Sequence, residues 1–485
     1  MTKRLRLYEI NTRAFCGRFD QISVAWLGEL ARLGFNAVWL MGAWRIGPGS
    51  KAISRVISND FEGSPFAIAE YEFSPELGGR EAYLDFLSRA RATGLRVLLD
   101  FIPNHMGLDC PWITDDPSIV IRSDPDLRKQ DPVDYYLHPT GEVVAHGRDP
   151  YFPPWCDTAQ LDYTSEKLRL RQIANLKRIS QVADGVRCDM AMLVLKGYFR
   201  QRWYPNATDL WVNQRMPGEF WLEAIAEIKS ICPEFVYLAE AYWGKEPDLQ
   251  QLGFDLTYEK LLYDALVARN ARWIKELLSR PADVLRHSLF FIENHDEPRA
   301  ASVFEPEENL AAMAMLLTLP ASVLIHQGQI EGFRKKIPIQ LVRPAPEQPN
   351  QELKQGYEAL LDRTKGALFD TGALEIWSSP DTAVVNFLRT DHERTVVYAG
   401  RIGGTASEFS RSEIDITPAA AAAGAGDIVM VKDLVGSTAI LVDRIAGKYT
   451  FTPRELIGGK SRFCLFEVCR TDRLTGKRLG SVKSR

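Results

Sequence analysis

Four apolar runs in this sequence end in ionisable or amide side chains. LRVLLDFIPNH (residues 95–105) closes on Asp100, Asn104 and His105, and GVRCDM (185–190) carries Arg187 and Asp189. FVYLAE (235–240) stops at Glu240, while SLFFIE (288–293) leads into Asn294, His295, Asp296, Glu297 and Arg299. Placing such groups at the ends of buried segments is costly unless they find partners. Two carboxyl groups facing one bond are what glycoside cleavage requires: one protonates the leaving oxygen and the other meets the oxocarbenium-like carbon. Like charges held close push their pKa values apart, which keeps one carboxyl protonated near neutral pH. Arg187 stands two residues before Asp189 and so shares its strand face, where a guanidinium holds a nucleophilic carboxylate ionised. Glu240 has no basic neighbour in sequence. Ala239, Ala241 and Trp243 flank it, an apolar setting that suits a proton donor.

Residues 50 to 90 positions apart meet only if the elements carrying them converge. The apolar runs RLYEI (5–9), AVWL (37–40), LRVLLDFI, GVRCDM, FVYLAE, SLFFIE and SVLIHQG (322–328) alternate with segments of helical periodicity. Those segments include VAWLGELARLG, EAYLDFLSRARATG, KLRLRQIANLKRISQVAD and EENLAAMAMLLTLP, and glycine closes the first two. Near-continuous apolar strands alternating with amphipathic helices indicate a parallel sheet covered by helices. A weaker run at GFDLTY (253–258) makes eight strands, which predicts a (β/α)₈ TIM barrel whose strand C-termini share one rim. The barrel is expected over 1–105 and 166–370. Residues 106–165, rich in Pro, Asp and aromatics, form a short inserted subdomain after the third strand. Short alternating strands over 371–475 predict a C-terminal all-β domain of sandwich type, in which PAAAAAGAGD (418–427) reads as a flexible loop. Residues 476–485 form a basic tail.

Taken in order, DFIPNH, GVRCDMAM, YLAE and IENHD resemble the four conserved regions of the α-amylase family of glycoside hydrolases. GSPFAIAEYEFSPELGG and HQGQIEG extend the resemblance, which spans roughly residues 5–370. It implies a retaining double displacement with Asp189 as nucleophile, Glu240 as acid then base, and Asp296 as stabiliser of the transition state. Arg187 would orient Asp189, and His105 and His295 would bind the sugar at the scissile bond. Phe66 stands where relatives often carry a tyrosine that stacks on that sugar, and Trp243 is a candidate for a neighbouring subsite. Asp100 reads as structural. No cofactor is required; Asn104 matches a position that binds calcium in many relatives, which leaves calcium open. Tyr151, Phe152 and Trp155 are candidates to line the cleft, His146 reads as a loop residue, and Glu293, Glu297 and Arg299 as supporting ion pairs.

The implied activity is cleavage of α-glucosidic bonds in malto-oligosaccharides or related α-glucans. Two alternatives stand beside it: transfer of the glycosyl unit to a sugar or phosphate, and an inactive barrel acting as a binding subunit. The expected partner is a carbohydrate. Fifty-nine basic against 63 acidic residues give a net charge of −4, which argues against an affinity built on phosphates. No run has the length to cross a bilayer. Seven scattered cysteines without a C-x-x-C pair suit neither a disulfide framework nor a zinc site. With no apolar stretch after the basic start MTKRLRLYEINTRAF, a reducing, cytoplasmic setting is expected.

Overall fold

The computed structural model describes residues 4–459, 461–471 and 482–483. Eight strands close into a barrel: β1 (Arg6–Asn11), β2 (Ala37–Met41), β3 (Arg96–Phe101), β4 (Gly185–Cys188), β5 (Val236–Ala239), β6 (Leu256–Tyr258), β7 (Ser288–Phe290) and β8 (Ser322–His326). Each pairs in parallel with the next, and β8 returns to β1, so the eight apolar runs are the eight barrel strands. A parallel strand under a helical shell is buried on both faces, which is why these runs do not alternate. Every residue of β2, for example, is buried.

The helices start and stop where local chemistry dictates. Ser23 caps Val24–Arg32 by accepting from the Trp26 N–H, and Ser165 caps Glu166–Ser180 in the same way. Gly34 and Gly94 follow their helices at φ +91° and +83°, a left-handed turn that side chains with a Cβ resist. Pro306–Thr318 is buried over nearly its whole length, because barrel and C-terminal sheet both pack on it.

Between β3 and β4 the chain builds two small sheets. His105–Gly107 pairs with Thr158–Gln160, and a three-stranded sheet joins Arg122–Ser123, Val143–Ala145 and Tyr135–Leu137. The first pairing folds the insertion back over the barrel rim. It brings Gly147 so close to His105 that a Cβ there would lie 2.8 Å from that of His105.

The C-terminal region differs from two packed sheets. One seven-stranded sheet runs in the order β9 (Ala373–Ile376), β10 (Val384–Thr390), β11 (Thr395–Arg401), β14 (Phe463–Arg470), β12 (Ile428–Asp433), β13 (Ala439–Asp443) and β15 (Val482–Lys483). One face, with Val385, Phe387, Val396 and Tyr398, joins the barrel's core. The other is covered by short helices and the two-stranded pair Ile414–Asp415 and Thr450–Phe451. The alanine run is therefore no loop: Thr417–Ala422 is helical and buries Ala419 and Ala420 against this face. Alanine pays almost no side-chain entropy in a helix, so a bare alanine run helices once a surface receives it. The basic tail lies outside the described residues apart from β15.

Asp100, at the end of β3, secures the rim. It is fully buried, accepting from Trp39 Nε1 at 2.8 Å and the Gly42 N–H at 2.7 Å, while its carbonyl accepts from Trp44 Nε1 at 2.7 Å. Removing the carboxylate strands two buried donors, each worth about 1–3 kcal/mol. Asp100→Ala should therefore lower unfolding stability by roughly 2–5 kcal/mol in urea titration, and a loss below about 1 kcal/mol would show that the rim does not depend on it.

Candidate active site

The parallel barrel delivers the strand-end groups to one place. Asp189 follows β4, its N–H bonded to the Phe101 carbonyl, and Glu240 follows β5, its N–H bonded to the Cys188 carbonyl. Asp189, Glu240, Asp296, His105, His295 and Phe66 line a single cavity of about 420 Å³.

Arg187 organises the two central carboxylates. Wholly buried, it places Nη1 2.6 Å from Asp189 Oδ1 and Nη2 2.8 Å from Glu240 Oε1. Its guanidinium also lies over Trp39, Phe66 and Tyr258 at 5.0, 5.1 and 5.6 Å from the ring centres. This corrects the expected apolar setting of Glu240. Arg187 and Leu238 are register partners on neighbouring strands, so the cation absent from Glu240's sequence neighbours arrives from β4. The Tyr242 hydroxyl (3.0 Å) and the Met190 N–H (2.6 Å) donate to the Glu240 carboxylate as well. Burial nevertheless dominates: with Asp189 and Asp296 adding like charge, it outweighs Arg187 and pushes the Glu240 carboxyl up to about 7.

Asp296 has the opposite environment. Its side chain is 44% exposed, with Oδ2 3.0 Å from His295 Nε2. Enclosure by the cleft raises its carboxyl, but the His295 imidazolium, helped by Arg187 and Lys336, offsets this and holds it down at about 2. His295 owes its charge to this pairing. Although buried, it sits between Asp296 and Glu9, whose carboxylate accepts from Nδ1, and the pair raises the imidazole to about 10 against its desolvation. Glu9 is wholly buried near the end of β1.

The remaining expected residues divide into those inside and those outside the cavity. His105 lies with Nε2 4.0 Å from Asp189 and packs on Trp155, whose ring centre is 4.9 Å away. Burial lowers the His105 pKa, which favours the neutral imidazole. Phe66 sits 5.5 Å from the His295 ring. Trp243 is not part of the cavity lining: it stacks on Tyr198 at 6.0 Å and 5° and meets Tyr151 edge-on at 4.9 Å, three residues beyond Glu240. Tyr151 and Phe152 are exposed, and His146 is buried with Nδ1 on the Thr158 carbonyl. Glu293 pairs with Arg299 at 2.8 Å, and Glu297 with Lys260 at 3.2 Å.

The Asn104 side chain is engaged by a neighbouring amide. Gln160 Nε2 donates to its side-chain oxygen at 3.0 Å and Gln160 Oε1 accepts from Nδ2 at 3.2 Å, so the amide is already paired. Among the described residues no three His, Cys, Asp or Glu side chains converge on one point.

Several contributors escape a reading of the sequence. Glu9 ends an apolar run as the others do, so the strand-end rule applied to YEIN would have flagged it. Tyr242 and the Met190 N–H depend on how β4 and β5 lie together. Ile339 and Gln340, which also line the cavity, come from an irregular segment with no motif at all. Backbone strain marks the same place: Met190 (φ +44°) and Trp243 (φ +60°) are two of the four non-glycine residues with positive φ among the described residues.

Paired carboxyls, one raised and one held ionised, beside a charged histidine and a buried arginine are equipped to cleave glycosidic bonds. A family model described as the α-amylase catalytic domain matches residues 26–364. The chain belongs to the α-amylase family. Alpha-amylase MalA of Haloarcula japonica is 28% identical over 342 residues, covering 68% of this chain and 44% of that protein. Alpha-amylase 3 of Dictyoglomus thermophilum is 21% identical over 313 residues, 59% of this chain and 57% of its own length. The chain thus spans about half the length of these curated relatives. The crystal structure of a noncanonic maltogenic α-amylase, AmyB from Thermotoga neapolitana, superposes with a TM-score of 0.72 at 20% identity, covering 96% of this chain and 98% of that one. An α-amylase structure from Lactobacillus plantarum gives 0.68 at 20% identity with the same coverage.

The electrostatics of this family member set a pH dependence. A proton donor at Glu240 would make kcat/KM fall as pH rises through about 7. A hydrogen bond donated to the ionised carboxyl favours that form, so Tyr242→Phe should move the limb to higher pH. An alkaline limb that stays in place in Tyr242→Phe would remove Tyr242 from control of Glu240.

Proposed function

We propose that the protein is a retaining glycosidase acting on α-glucosidic bonds of malto-oligosaccharides or related α-glucans. The observation that carries this reading is the single buried Arg187 guanidinium touching both Asp189 and Glu240. One guanidinium between two carboxylates favours a close pair, of the kind retaining enzymes hold at about 5–5.5 Å, over the wider gap that admits an inverting water. Asp189, held by Arg187, attacks the anomeric carbon while Glu240 gives its proton to the leaving oxygen. The second displacement reverses the roles: Glu240, now ionised, takes a proton from the incoming hydroxyl, and Asp189 leaves. Asp296, ionised beside charged His295, accepts hydrogen bonds from sugar hydroxyls as positive charge builds on the ring.

Transfer to a sugar acceptor in place of water is the second reading. The exposed Trp243 ring just beyond Glu240, stacked in parallel on Tyr198, supports it, since an aromatic face suits a sugar ring. A cytoplasmic setting is part of the proposal and rests on seven unpaired cysteines. No helix among the described residues is long and apolar enough to cross a membrane.

Proton NMR of maltoheptaose hydrolysis tests the reading. Shorter oligosaccharides should appear first as the α-anomer, and Asp189→Asn should lose activity by about 10³-fold or more. Products longer than the starting sugar would assign the protein to transfer. First appearance of the β-anomer would exclude double displacement.

A further inference from the structure

One side of the cavity is bordered by the chain that follows β8. After β8, residues 333–346 run back across the rim and join the loop of residues 58–66 that follows β2. The two segments are sewn together by backbone. The Glu62 N–H donates to the Gln340 carbonyl at 3.0 Å and the Val342 N–H to the Asp60 carbonyl at 3.2 Å, and Phe61 and Leu341 form an antiparallel bridge. Buried Arg13, from the segment after β1, pins both from beneath. Its guanidinium donates to the Glu62 and Gly63 carbonyls at 3.2 and 3.1 Å and to the Ile339 carbonyl at 3.2 Å. Arg343 pairs with Asp60, and Lys336 donates to the Asp296 carbonyl. Glu347 fixes the root of the segment by accepting from the N–H groups of Arg334 (2.6 Å) and Lys335 (3.1 Å). A segment tied at this many points is a wall and not a loose lid.

Its position in the barrel gives the wall a direction. It spans the sector of β8, β1 and β2, and Ile339 and Gln340 line the same cavity as Asp189, Glu240 and Asp296. Glu240 follows β5, which stands opposite β1 in an eight-stranded barrel. The group that protonates the leaving oxygen marks the side on which the leaving sugar departs. The sugar that is attacked, and whatever precedes it in the chain, must therefore extend toward the wall. On the Glu240 side the rim instead carries the exposed aromatic group of Trp243 and Tyr151.

We infer that the 333–346 segment closes the glycone end of the cleft, so that the enzyme engages α-glucans by their non-reducing ends and does not cut within them. The inference rests on the glycosidase reading and adds its mode of attack. Arg13 acts here as a positioning residue that holds the wall in place, with no contact to the reacting atoms.

The test compares maltoheptaose with the same sugar carrying an acetal block on its non-reducing terminal unit, with products read by mass spectrometry. The wild type should shorten free maltoheptaose and cut the blocked sugar roughly 100-fold more slowly. Equal cleavage of the two would overturn the closed end. Failure to cut either sugar would instead count against the glycosidase reading, and the inference would fall with it. Two variants probe the wall itself: Arg13→Ala, and Arg343→Ala, which removes the tie to Asp60 and serves if the first does not fold. Each should still cut the free sugar, and cleavage of the blocked sugar should rise about tenfold as the end opens. Continued refusal of the blocked sugar by a folded variant that still cuts the free one would overturn the role given to the segment.

Discussion

Arg187 is the interaction on which the rest of the site depends. A buried guanidinium is costly to desolvate, and ion pairs rarely recover that cost by attraction alone. Here it faces two carboxylates and three aromatic rings, with Asp100 as register partner on the neighbouring strand. Even so, the rim holds more carboxyl groups than cations: Glu9, Asp100, Asp189, Glu240 and Asp296 against Arg187, His295 and Lys336. Protonation resolves the excess. Burial pushes Glu240 to about 7 and Asp100 to about 6, while Glu9 and Asp296 are held low by charged His295. The division between one raised carboxyl and ionised partners thus follows from too much negative charge in too little water.

The barrel makes that concentration of charge tolerable because its strands are rigid and fully paired. Strain is admitted just beyond them. Met190 and Trp243 take left-handed conformations that cost of order 1–3 kcal/mol each, immediately after the strands bearing Asp189 and Glu240. At Met190 the turn aims a backbone N–H at Glu240. Across the barrel the irregular wall works by the opposite means: it has almost no secondary structure, yet its carbonyls are taken up by Arg13 and by the 58–66 loop. Reaction chemistry sits on strand ends, whereas the shape of the cleft is left to loops that can change without disturbing them.

Much of this was legible in the residues alone. All eight barrel strands correspond to apolar runs, since a strand buried on both faces must be apolar throughout, and the helices obey their caps and glycines. Legibility failed where an element's fate depends on what covers it. PAAAAAGAGD has no amphipathic pattern, and only the sheet face bearing Val397 and Val431 makes its alanines a buried helix. The single C-terminal sheet looked like two because alternating strands do not state whether a second sheet or the barrel's own helix lies against them.

The sequence by itself determined the barrel and the order of the strand ends that carry Asp189, Glu240 and Asp296, because periodicity and strand polarity are local properties that survive without coordinates. Tertiary structure alone decided that one arginine serves two carboxylates, that Glu9 charges His295, that Gln160 occupies Asn104, and that residues 333–346 wall the cleft. Each of these joins groups on different strands or loops. Distance across a closed barrel is set by register and packing, which no stretch of sequence carries on its own.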